Sequence, residues 1–188
     1  MKKTVAALVL ASVMVAGAVP ALALQTTVTK VDKNADGTMT YHFAIKLDQG
    51  ESLSPGDAKA KPDFVTVYNF YGLVDGSAKS PAGWEFSSEE FGRTPMLNGY
   101  PMVLPLDVPN TPNLTWTVTK PVVGGEQVDG FAATTRIGTM VQGEYSAQVT
   151  RPAPAVQDQS PTLASGDAGS KQAVIGTITT PSFLIDVK

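Results

Sequence analysis

The 188-residue chain has no cysteine and a single histidine. It therefore cannot build a thiolate metal site, a disulfide framework or a cysteine nucleophile, and a multi-histidine metal cluster is excluded too. Charge is scarce as well: 16% of residues are Asp, Glu, Lys or Arg, and the formal net charge is −3. The basic residues form no run, which argues against a nucleic-acid or anionic-membrane surface. Beyond the first residues, no apolar stretch approaches the roughly 20 positions that a membrane helix needs. What the chain does have is 43% hydrophobic residues, 17 glycines and 14 prolines, enough for a core broken up by turns.

Lys2 and Lys3 precede an uncharged stretch of mainly Ala, Val and Leu from Val5 to Val19. Pro20 interrupts it, and Ala21-Leu22-Ala23 supplies the small-x-small pattern of a signal-peptidase site. This order predicts a secretory signal peptide over 1–23 and a periplasmic or extracellular protein with no membrane span in the mature chain. An N-terminal anchor is the competing reading, but the apolar stretch is short for a bilayer and ends in a cleavage-type sequence. A chain of this size buries roughly 70% of its unfolded surface, so export without disulfides is workable.

Period-two alternation dominates the rest, with no sustained helical period. Met39, Tyr41, Phe43, Ile45 and Leu47 share one face, opposite Thr40, His42, Ala44 and Lys46. Leu114, Trp116 and Val118 alternate with threonines, and Tyr145, Ala147 and Val149 alternate with polar residues. Asp63 to Tyr71 (DFVTVYNFY) is apolar on both faces, as a central strand requires. Asn34-Ala35-Asp36-Gly37 reads as a hairpin turn, and five prolines between Phe91 and Pro112 exclude helix and central strand from much of that segment. The expected fold is all-β: an antiparallel two-sheet sandwich, Ig-like or jelly-roll-like, of about seven or eight strands. Residues 24–150 form the sandwich and 151–172 read as a flexible linker or long loop. Residues 173–188 read as a C-terminal strand returning to the sandwich, with pairing to another chain as the alternative.

Phe70-Tyr71-Gly72-Leu73-Val74 is followed by Gly76-Ser77 and then by Pro81-Ala82-Gly83-Trp84-Glu85-Phe86-Ser87-Ser88. Thr94-Pro95 and Pro112-Asn113-Leu114-Thr115-Trp116 come later. In this order, over residues 26 to 150, the chain resembles a group of exported bacterial β-proteins, many of which end in a PEP-CTERM sorting tail. The resemblance implies an exported β-fold and brings no catalytic residue with it. The chain ends at Asp186-Val187-Lys188 without the Pro-Glu-Pro, apolar span and basic cluster of such a tail, so release or a periplasmic location is expected.

Asp32, Asn34 and Asp36, with Gly37, match the first half of a calcium loop, D-x-N-x-D-G. The position for its bidentate glutamate holds Phe43 and the flanks read as strands, so a hairpin turn is expected and calcium is the alternative. His42 has no G-x-S-x-G serine to serve and reads as a strand residue. Glu89 and Glu90 are adjacent on one loop and would need a distant partner, such as Asp107 or Glu144, to act as a glycosidase pair. Trp84 follows a turn at a sheet end, where core packing and ligand contact are both open, and Tyr100 lies in the proline-rich loop; these two are the aromatic candidates for ligand contact. Together these readings predict a non-catalytic exported protein with a structural or interaction role in the cell envelope or extracellular matrix. The alternative is a carbohydrate-binding module that uses the loop aromatics, with surface polysaccharide or another envelope protein as partner.

Overall fold

Alternation sets the first hairpin. β1 (Gln25–Lys33) and β2 (Met39–Lys46) pair antiparallel, and Tyr41, Phe43, Ile45 and Leu47 all point inward at 1% exposure or less. The connecting turn closes with Gly37 N donating to the Asn34 carbonyl at 3.0 Å. Gly37 has φ +86°, a conformation that a side chain would strain. The computed structural model describes residues 23–58, 60–97, 100–101, 105–151 and 170–183. The expected signal peptide, apart from Ala23, and residues 152–169 of the expected linker lie outside them.

The described residues are all β, arranged as an antiparallel sandwich. The smaller sheet has the order β1-β2-β10, with β10 at Gln127–Thr135. The larger sheet is built on β4 (Phe64–Val67), β5 (Trp84–Glu89), β8 (Asn113–Val118), β11 (Met140–Arg151) and β12 (Ser170–Pro181). Its order runs β5-β8-β4-β11, with β12 paired along the other side of β11. Two-residue strands are added: β3 (Ser52–Leu53) beside β11 in the larger sheet, and β6 (Met96–Leu97) with β7 (Tyr100–Pro101), which form a two-stranded sheet of their own. A fourth, β9, is Val122–Val123. The expected count of seven or eight matches the strands of four or more residues, and the short pieces were not foreseen.

Ser52 faces Thr150 and Phe64 faces Gln148, so β3 and β4 run along the same side of β11. The chain leaves the sheet after Leu53 and rejoins it at Phe64. Asp63, wholly buried at the point of return, closes the base of this excursion. Its carboxylate accepts from Ser54 N at 2.8 Å, Thr150 Oγ1 at 2.7 Å and Lys171 Nζ at 2.7 Å. Of the residues read from composition as linker, Arg151 ends β11, and Ser170, Lys171 and Gln172 open β12.

The two sheets meet through aromatic rings. Trp116 of β8 lies 5.5 Å from both Phe43 of β2 and Phe131 of β10, centroid to centroid. Behind the larger sheet, Arg93 to Met96 of the proline-rich segment cross the outer face. Tyr68 Oη donates to the Arg93 carbonyl (2.9 Å) and Ser146 Oγ lies 2.8 Å from Tyr68 Oη. Ser146 and Gln148, polar on the alternating pattern, are thereby buried.

Tyr41 is fully buried, and among the described residues its hydroxyl finds no hydrogen-bond partner. Burial pushes its ionisation up to about 12, and burial also raises those of Tyr68 and Tyr145. A tyrosine that ionises later when folded binds its proton more tightly in the native state. Its contribution to stability is complete below the ordinary value near 10 and is lost as pH rises through about 12. Tyr41→Phe is expected to leave stability at neutral pH unchanged, or to raise it by up to about 1 kcal/mol. The same change should move the alkaline unfolding midpoint upward, as followed by circular dichroism and tyrosinate absorbance. A clear loss of stability at neutral pH would contradict an unpartnered hydroxyl.

Candidate functional site

One of the two aromatic candidates for ligand contact is part of the core. Trp84 opens β5 at 6% exposure, with its ring edge-on to Phe131 at 4.9 Å and 89°. Buried to this degree, the indole has no open face for a sugar, so of the two roles open to it the structure places it in the core. Tyr100 lies on β7, where it pairs with Leu97, and its side chain lies outside the described residues.

Asp32, Asn34 and Asp36 are each committed to separate partners. Asp32 pairs with Lys30 Nζ at 2.8 Å and His42 Nε2 at 3.1 Å, and these contacts lower its carboxyl ionisation, the Lys30 hydrogen bond most of all. Asn34 Nδ2 donates to the hydroxyls of Thr38 and Thr40, both at 2.9 Å. Asp36 Oδ1 accepts from Thr38 N at 3.0 Å and Thr38 Oγ1 at 2.7 Å, and those two bonds lower its ionisation. The D-x-N-x-D-G string is thus spent on the turn and its strand neighbours. Among the described residues, no group of three or more acidic or histidine side chains is placed to hold a metal ion.

The carboxylates considered for acid–base work hold loops in place. Glu89 pairs with Arg93 at 2.9 Å and accepts from Ser87 Oγ at 2.9 Å. Asp107 accepts from Gly92 N at 2.7 Å and Asn113 Nδ2 at 2.9 Å. Glu144 accepts from Leu106 N at 3.1 Å. Glu89 and Glu90 line one open depression with Ser88, Asn110, Thr111 and Pro112, side by side in the chain, while Asp107 and Glu144 are not part of its lining.

A groove of about 280 Å³ opens at one end of the sandwich, where the start of β11 and the end of β12 meet the 105–108 loop. Asn69, at φ +54°, ends the path of β4 and braces this loop. Its Oδ1 accepts from Val108 N at 2.8 Å, and its Nδ2 donates to the Leu106 carbonyl. Leu106, 76% exposed, is the large apolar side chain of its lining, and Phe183, 66% exposed, stands next to its Tyr71. Phe183 meets Tyr71 edge-on at 5.5 Å and 79°. It is held there because Ser182 N donates to the Thr139 carbonyl at 3.1 Å. Glu144 supplies the groove with a carboxylate. No protein-family model and no curated protein matches the chain. The groove's chemistry therefore has to be read from its own residues.

Leu106 and Phe183 were not singled out in the sequence. One is a leucine in a proline-rich run, and the other follows Pro181-Ser182 near the end of the chain. Their only signal was an apolar side chain within two positions of a proline. What the groove offers is large apolar contact area beside a carboxylate and amide groups, a binding chemistry rather than a reactive one.

Proposed function

We propose that this is a non-catalytic exported β-sandwich protein with a structural or interaction role in the cell envelope or extracellular matrix. The observation that carries the reading is a groove lined by the exposed Leu106 and by Tyr71, whose ring meets the exposed Phe183, since large apolar side chains clustered at a surface mark contact sites. The structural commitments of Glu89, Asp107 and Glu144 support its non-catalytic half. Export rests on the leader pattern of residues 1–23 and on the resemblance to exported β-proteins. Among the described residues no helix is long and apolar enough to cross a membrane.

The Tyr71–Phe183 pair beside Glu144 favours carbohydrate binding as a second reading, at this groove instead of at Trp84. Co-sedimentation of the purified chain with isolated envelopes and with purified polysaccharides tests both. The first reading expects retention on envelopes that drops at least about tenfold in the Leu106→Ser, Phe183→Ser double variant. Retention on polysaccharide alone, lost in the same variant, would favour the second. Turnover of any polysaccharide by the pure protein would overturn the non-catalytic assignment.

A further inference from the structure

An open strand edge invites another chain, and soluble β-proteins usually guard theirs with charge, bulges, proline or short length. Most edges of this sandwich are guarded. β1 carries Lys30, Asp32 and Lys33, and its register slips between Val28 and Lys30. The outer side of β10 is covered by the 72–79 segment, with Val74 N bonded to Thr134 O and Lys79 N to Ala132 O, both at 2.8 Å. β5 is short and carries Glu85 and Glu89, and β9 has two residues.

β12 is guarded less, although Lys171 and Pro181 stand at its ends and β1 and β6 pass close to it without pairing. It pairs with β11 over twelve consecutive positions without a bulge, and among the described strands it pairs with no other. From Gln172 to Thr180 it holds neither charge nor proline (QAVIGTITT). Its one cation, Lys171, does not guard the edge, because its ammonium is drawn to the buried Asp63 at 2.7 Å. Ile175 is an exposed apolar residue on the outer face.

We propose that β12 is a self-association edge, on which a second copy of this chain seats its own β12 antiparallel about a two-fold axis at Gly176. Gly176 is the midpoint of the uncharged stretch, so this register brings no charges face to face. Ile175 then lies opposite Thr177 of the second copy and Val174 opposite its Ile178, pairing β-branched residues on both faces. The two Ile175 side chains become diagonal neighbours and cover each other. An isologous contact of this kind uses up both edges and stops at a dimer. The inference does not depend on the groove, which lies at the end of β12 rather than along its edge.

Sedimentation equilibrium of the purified chain over a wide concentration range is the test. A monomer–dimer equilibrium is expected, weakened at least about tenfold by Ile175→Lys, which sets two ammonium groups side by side at the axis. Glu85→Lys on β5, at the opposite edge of the larger sheet, should leave it unchanged, and thermal melting of dilute Ile175→Lys should show an intact fold. A single-chain mass at every concentration would sink the proposal. So would a dimer indifferent to Ile175→Lys, or growth past the dimer into open assemblies.

Discussion

Replacing Asp63 by alanine is expected to destabilise the protein by about 3–5 kcal/mol, a large fraction of the stability of a typical domain. The carboxylate is wholly buried and joins three separate pieces of chain. It satisfies the Ser54 amide where the 54–63 excursion leaves the sheet, the Thr150 hydroxyl on β11 and the Lys171 ammonium on β12. Gln148 Nε2 adds a fourth, longer contact at 3.4 Å. Truncation leaves these donors facing a cavity, and each donor stranded without a partner costs about 1–3 kcal/mol. Asp63→Asn keeps the shape and loses the charge, so a smaller loss of about 1–2 kcal/mol is expected from it. Urea unfolding midpoints for the two variants give the ranking. Hydrogen exchange provides the local readout, with amides near Lys171 opening faster in Asp63→Ala while those of β2 change only with global stability. Equal exchange at both places would mean that Asp63 supports the core generally and does not specifically fasten β12.

This anchor marks the limit of what the sequence disclosed. Tyr41, Phe43, Ile45 and Leu47 declared their inward face through alternation alone, as did Leu114, Trp116 and Val118, because a pleated strand assigns faces locally. The Asn34–Gly37 turn was equally local, since its geometry depends on positive φ at Gly37 and on side chains two to six positions away. Ser146 and Gln148 obey the same alternation, yet both are buried, because Arg93 to Met96 crosses over them. Trp84 stayed open between core and ligand contact for a related reason. Pro81-Ala82-Gly83 correctly signalled a turn, but nothing nearby indicated that Phe131 would close over the ring. The groove is the extreme case: Tyr71, Leu106, Glu144 and Ser182 come from four distant parts of the chain, and only the completed topology brings them together. Local periodicity therefore revealed the fold class, while the site depends on contacts between residues far apart in sequence.

The second large effect is expected at Trp116, where alanine should cost about 3–5 kcal/mol. The indole is 1% exposed and lies at the centre of the sandwich. It packs 5.5 Å from Phe43 and Phe131 on the smaller sheet and 5.6 Å from Phe86 on its own. Its Nε1 donates to the Lys79 carbonyl at 3.1 Å, which ties the core to the segment that covers the outer side of β10. Removing the ring takes away the tilted and edge-on contacts that join the sheets, and the surrounding rings cannot collapse fully into the space. Trp116→Phe retains most of the apolar area and gives up the hydrogen bond. The Lys79 carbonyl still accepts from Ala132 N at 3.3 Å, so a milder loss of about 1–2 kcal/mol is expected there. Guanidinium unfolding of both variants, followed by far-ultraviolet circular dichroism, checks the order. If alanine cost no more than phenylalanine, the energy holding the sheets together would have to lie elsewhere, in the aliphatic layer of Val65, Val67, Ala147 and Val149. The core would then be a packed aliphatic interior with a tryptophan inside it, and Phe43, Phe131 and Trp84 would be expected to tolerate truncation equally well.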